Sequence, residues 1–168
     1  MKQFLLVGLV GMMALGQESV DVPKLHADLA RAQKTLLDWA NLGRYAGDNA
    51  KLAPVGGNEK RVVFMGDSIT DAWGRRGGKF WPDRPYVNRG ISGQTTPQML
   101  IRFRPDVIAL GAKVVVILAG TNDIAGNTGP MTLEQIEGNL ESMVELAKAN
   151  GMKVVMSSVM PVCDYHRP

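Results

Sequence analysis

The sequence predicts an α/β domain built on a parallel, doubly wound sheet, and three observations predict it. Short β-branched apolar runs recur along the chain, segments of helical periodicity separate them, and glycine-containing polar turns follow three of the runs. Runs that are apolar throughout, rather than alternating with polar residues, suit strands covered on both faces by crossover helices. The 168 residues, 45% hydrophobic and 21% charged, suffice for one core.

Residues 1–16 read as a signal peptide. Lys2 precedes an apolar run from Phe4 to Gly16 that is too short for a bilayer span, and polar residues follow at once. Ala14 and Gly16 set small residues where a signal peptidase cuts, so the mature chain is expected to begin near Gln17 and to be secreted or periplasmic, without a stable membrane span. No cysteine lies near that point, which leaves lipid anchoring unsupported.

Residues 17–60 are expected to supply an N-terminal amphipathic helix and a connector. From Pro23 to about Tyr45, Leu25, Leu29, Ala32, Leu36 and Trp39/Ala40 fall on one helical face, which predicts a helix packed on the core. His26, in its first turn, reads as a surface or cap histidine. Pro54 to Lys60, with Gly56-Gly57, is a polar connector.

Residues 61–168 hold the main domain. Strands are predicted at Arg61–Met65, at Tyr86–Asn88, at Lys113–Ala119 and at Lys153–Val159, the third being the most apolar and β-branched. Helices are predicted from Thr96 to Leu110, interrupted by Pro105, and from Thr132 to Asn150. The second of these carries Ile136, Leu140, Met143, Val144 and Ala147 on one face. Thr132 to Gln135 forms a capping box and Gly151 a stop.

Composition excludes several function classes. The net charge is +3 and no basic run is longer than Arg75-Arg76, so nucleic-acid binding has no support. Cys163 is the sole cysteine and there are two histidines, which rules out an internal disulfide and a thiolate metal cluster. Gly74 to Phe80 has the loose outline of a phosphate loop. Trp73 occupies the first glycine position, however, and Phe80 stands where Ser or Thr would bind magnesium, so the segment reads as an ordinary loop. The Gly-x-Ser-x-Gly elbow of another esterase fold is absent.

Ligands of open α/β sheets bind beyond the carboxyl ends of the strands, and three motifs fall there. They are Gly66-Asp67-Ser68-Ile69-Thr70, Gly90-Ile91-Ser92-Gly93-Gln94-Thr95 and Gly120-Thr121-Asn122-Asp123. Singly each is ordinary turn and cap chemistry; their order and shared position make the signal. With them the chain, from about Val62 to Pro161, resembles the GDSL, or SGNH, hydrolase family of ester hydrolases. The resemblance implies a three-layer, flavodoxin-like doubly wound fold and an acyl-enzyme mechanism with no metal or organic cofactor. It makes Ser68 the nucleophile, and it places the Gly93 backbone N–H and the Asn122 side-chain amide in the oxyanion hole. Residue chemistry agrees: glycine lets the backbone approach a substrate, and an asparagine donates to an alkoxide without titrating. Asp123 reads as a loop-holding acceptor. Trp73, Phe80, Trp81 and Tyr86 could wall an acyl or sugar pocket or pack on the sheet edge. The substrates implied are small-molecule, lipid or glycan esters.

The family also carries an Asp-x-x-His element, whose histidine is the general base. No such spacing occurs here; Asp164-Tyr165-His166 comes nearest. The chain is therefore read as a C-terminally incomplete member that should show little or no ester hydrolysis as it stands. A non-catalytic carbohydrate- or ester-binding pseudo-hydrolase is the alternative, and a nucleotide-binding domain would need a glycine fingerprint that is absent.

Overall fold

The computed structural model describes residues 21–74 and 80–161. The expected signal peptide, residues 75–79 of the glycine-rich loop and Asp164-Tyr165-His166 lie outside them.

Four strands make one wholly parallel sheet: β1 (Val62–Gly66), β2 (Tyr86–Gly90), β3 (Val114–Leu118) and β4 (Lys153–Met156). Their spatial order is β2-β1-β3-β4, so the chain winds outward from β1 to β2, then crosses back over β1 to β3 and β4. That reversal is the doubly wound, flavodoxin-like pattern, and it opens a crevice at the carboxyl ends. β2 runs two residues beyond the predicted Asn88. β4 stops three residues short of the predicted Val159, because its neighbour β3 ends at Leu118 and turns at Gly120 (φ 119°).

On one face of the sheet Val63, Met65, Val115 and Ile117 are completely buried. They pack with Met99, Phe103, Met143 and Ala147 from the helices that connect the strands, and with Val107 just past the end of the first. Those helices are α4 (Thr96–Asp106) and α6 (Leu133–Ala149). The predicted Thr96–Leu110 helix is two elements, because Pro105 lies in the last turn of α4 and a separate 3-10 turn, Ile108–Leu110, follows. α6 starts on the predicted Thr132/Gln135 capping box and is left through Gly151 at φ 70°.

The N-terminal helix departs from expectation. α1 (Val22–Leu37) buries none of its residues, and Leu25, Leu29 and Leu36 are 55–82% exposed, so the predicted packing on the core is not observed. Asp38 ends it: its carboxylate accepts the N–H groups of Leu42 (2.7 Å) and Gly43 (2.9 Å), satisfying the start of a new 3-10 turn, Leu42–Arg44. The residues that do reach the core lie past the helix. They are Ala40 and Tyr45, followed by the short α2 (Ala46–Lys51).

Two short helices complete the carboxyl end of the sheet, α3 (Ser68–Ala72) after β1 and α5 (Thr121–Ile124) after β3. α3 lies so close to the strand ends that side chains are excluded beneath it. A Cβ on Gly90 would sit 2.2 Å from the Asp71 nitrogen, and one on Gly66 would sit 2.1 Å from Thr70 Oγ1.

Candidate active site

The register sets the site. Gly66, Gly90 and Leu118 occupy one row across β1, β2 and β3, so the three turns that follow leave the sheet together at the same end. Ser68 is the first residue of α3 and is exposed. Asp67 before it is 2% exposed and caps the helix, accepting from the Ile69 N–H at 2.9 Å.

Burial pushes the Asp67 carboxyl above its ordinary value, the nearby Asp123 charge adds to this, and the Ile69 N–H opposes it. A carboxyl raised in the folded state contributes stability that is full below the unfolded value of about 3.9 and is lost as pH rises through the folded value. Asp67→Asn keeps an oxygen for the Ile69 N–H and does not titrate. It is expected to be at least as stable as the wild type at pH 7 and to lose that advantage at pH 4. Urea unfolding at the two pH values checks this, and a variant penalised only at pH 7 would contradict it.

Gly93 takes φ 80°, a conformation that favours glycine, and is exposed on the β2–α4 loop. Asn122, in α5, donates through Nδ2 to the Gln94 carbonyl at 2.9 Å. Its Oδ1 accepts from Asn127 Nδ2 at 3.1 Å, and the same Asn127 nitrogen donates to the Gly93 carbonyl at 3.1 Å. A primary amide has two N–H groups, so these contacts orient the Asn122 amide and engage one of the two. Gly93 and Asn122 thus belong to one cross-linked unit. Asp71 of α3 joins the Ser68 turn to that unit by accepting from Ser92 Oγ (2.7 Å) and the Ser92 N–H (3.3 Å).

Asp123 is a fastener, as expected. Its two oxygens accept from the Thr96 N–H at 2.9 and 3.1 Å, and Oδ1 also accepts from Thr96 Oγ1 at 2.6 Å, which pins α5 to the start of α4. At 2% exposure it faces no solvent.

Comparison with known proteins places the chain in a family. A model of the GDSL-like Lipase/Acylhydrolase family matches residues 64–168. The chain belongs to that family. It is similar to a crystal structure of a GDSL-like lipase from Bacteroides thetaiotaomicron VPI-5482, with 52% identity and a TM-score of 0.72 over 76% of this chain and 62% of that one. A second similar structure is a Bacteroides fragilis NCTC 9343 protein provisionally assigned as an acylhydrolase, with 55% identity and a TM-score of 0.69 over 71% of this chain and 57% of that one. More distant is a catalytic mutant of an acetylxylan esterase from Geobacillus stearothermophilus, 26% identical with a TM-score of 0.51 over 62% and 61% of the chains. The lipoprotein YqeF of Bacillus subtilis (strain 168) is 31% identical over 81 residues, which are 46% of this chain and 33% of that protein. The chain therefore spans about a third of the curated relative and about three fifths of these solved structures.

Beneath the family motifs lies a layer that sequence reasoning missed. Arg102, completely buried in α4, donates from Nε to Gln94 Oε1 (2.5 Å). From Nη1 it donates to the Arg89 carbonyl (2.8 Å) and Asp106 Oδ2 (3.1 Å), and from Nη2 to the Gly66 carbonyl (3.2 Å). It thereby ties the last residues of β1 and β2 to the Gly93 loop. Burial pulls its guanidinium below the ordinary value while Asp106 holds it charged. A signal was present in the sequence: Arg102 and Asp106, four residues apart, share the inward face with Met99 and Phe103.

The aromatic residues pack together on the sheet, and three of them also line a cavity. Phe64, Trp73, Phe80, Trp81 and Tyr86 form one cluster with ring centroids 4.6–6.4 Å apart against the β1–β2 face of the sheet. Trp73, Phe80 and Trp81, with Ile69 and Ala72 of α3, also wall an open cavity of about 770 Å³ that begins at the residue after Ser68. Trp73 and Trp81 remain 41% and 45% exposed, and Trp81 is held at φ 37°, a strained backbone for a bulky residue. No helix among the described residues is long and apolar enough to cross a membrane.

Proposed function

We propose that the protein is a serine ester hydrolase in which Ser68 attacks the carbonyl carbon of a carboxylic ester. The negative charge then forming on the carbonyl oxygen is taken by the Gly93 N–H and the remaining Asn122 N–H. Collapse of the tetrahedral species expels the alcohol and leaves an acyl group on Ser68 Oγ, which water removes as the free acid. The observation that carries this reading is the locked Asn122 amide. Its carbonyl oxygen and one N–H are spent on Asn127 and Gln94, and the other N–H is kept in reserve beside Gly93. Membership of the GDSL-like Lipase/Acylhydrolase family favours a hydrolase over a binding module.

The reaction also needs a proton acceptor for Ser68. Among the described residues the one histidine is His26, on the exposed α1 and outside the site's hydrogen-bond network, and we assign it no role.

The aromatic shelf beside Ser68 supports esters that present a ring face, the flat face of an aryl ester or the C–H face of an acetylated sugar, over lysophospholipids. Exposed indole faces stack on rings, whereas an alkyl chain gains more from a closed aliphatic tunnel. Similarity to an acetylxylan esterase points the same way. We propose further that the protein is exported, on the strength of Lys2 and the apolar run to Gly16 and of the lipoprotein relative.

Asn122→Ala in the full-length protein tests the oxyanion assignment. It is expected to lower kcat for a p-nitrophenyl ester by about 10² to 10³, with KM changed little, as for one donor felt only in the transition state. An unchanged kcat would remove Asn122 from the mechanism.

A further inference from the structure

The family match begins at residue 64, yet the segment from Trp39 to Tyr45 is fastened directly to the loop that carries Gly93. Gln94 donates from Nε2 to the Ala40 carbonyl at 2.7 Å. Gln98 donates from Nε2 to the Trp39 carbonyl, also at 2.7 Å. The Tyr45 hydroxyl donates to the carbonyl of Gly90, where the same loop begins, at 2.5 Å. These contacts are not incidental surface ones: Ala40, Tyr45 and Gln94 are 3–6% exposed, and the guanidinium groups of Arg44 (4.9 Å) and Arg89 (4.5 Å) each lie over the Tyr45 ring.

We infer that residues 39–45 are a brace that positions the oxyanion donors, with Gln94 as its node. The logic is geometric. The Gln94 main-chain carbonyl orients the Asn122 amide, and Gln94 itself is held from two sides, by Ala40 through Nε2 and by Arg102 through Oε1. Gly93 is its immediate neighbour. A shift of the brace therefore moves both donors at once, and misplacement of about 1 Å at a reacting centre is enough to cost rate. Gln94 and Gln98 are positioning residues: neither is assigned a contact with substrate.

The functional half of this inference rests on the esterase reading, so the test carries a readout that does not. Gln94→Glu/Gln98→Glu in the full-length protein keeps both inward acceptors, for Arg102 Nε and for the Thr95 N–H, and removes both donations to the brace. Backbone deuterium uptake at residues 91–96 is expected to quicken about tenfold or more, while uptake in β3 stays as in the wild type. For a p-nitrophenyl ester, kcat is expected to fall by about 10- to 100-fold, with KM within about threefold. Tyr45→Phe keeps the ring under the two arginines, and so the fold, and loses one brace bond; it is expected to shift both readouts in the same direction by a smaller factor.

Unchanged uptake at 91–96 in both variants would overturn the brace. So would quickened uptake with kcat intact, which would leave the segment a structural tether. A wild-type protein that lacks Ser68-dependent turnover would instead sink the esterase reading, and uptake would still decide whether the brace holds the loop.

Discussion

Ser68→Ala in the full-length protein is expected to abolish turnover of a p-nitrophenyl ester, with a loss of about 10⁴-fold or more in kcat, while the protein remains folded. The size follows from the role. A nucleophile is not one contributor among several; without it the acyl-enzyme route is closed, and what remains is the rate that binding and an oxyanion hole give to attack by water, about 10³ to 10⁴ over the uncatalysed reaction. The fold should tolerate the change because Ser68 is exposed at the start of α3, whose cap is the neighbouring Asp67. Steady-state kinetics read beside a thermal melt separate the two effects. Retention of kcat in the alanine variant would mean that the nucleophile lies elsewhere, and lost turnover with a collapsed melt would show Ser68 to be a folding residue.

The largest expected effect on stability belongs to Arg102. Arg102→Ala leaves Asp106, 1% exposed, without its ion-pair partner, and strips donors from the Gly66 and Arg89 carbonyls and from Gln94. Breaking one side of a buried pair costs about 3–5 kcal/mol because the abandoned charge stays desolvated. For a domain of this size that is a fall of about 10 °C or more in Tm. Arg102→Lys should recover little of it, since a single ammonium cannot reach four acceptors that a planar guanidinium spans. Asn49 donates to Asp106 Oδ1 at 2.7 Å, one neutral contact that cannot replace a charge. A melt within about 2 °C of the wild type would show that water or a neighbouring cation takes the place of Arg102.

Local chemistry was legible where one segment decides the outcome by itself. The apolar runs announced β1 and β3, and the Thr132/Gln135 box and Gly151 announced the two ends of α6, because capping and strand propensity act over a handful of residues. The three turn motifs announced which end of the sheet carries Ser68, Gly93 and Asn122, because in a parallel sheet every strand delivers its following turn to the same side. Asp123 could be read as a fastener for a similar reason, as a short acceptor next to a turn.

Periodicity misled at α1. Its leucines repeat on one face as a core-packed helix requires, but the period reports only that a stripe exists and not that a partner covers it. Asp38 diverts the chain so that Ala40 and Tyr45 are buried in place of the stripe. What only the tertiary structure decided is which distant groups meet: Gln94 with Ala40 and Arg102, Asn127 with Gly93, Tyr45 with Gly90. These partners lie 8 to 54 positions apart, and all but the exposed Asn127–Gly93 bond satisfy a polar group that the fold has already taken out of water. Sequence names the donors and acceptors; packing sets which of them are desolvated together, and desolvation makes a pairing obligatory.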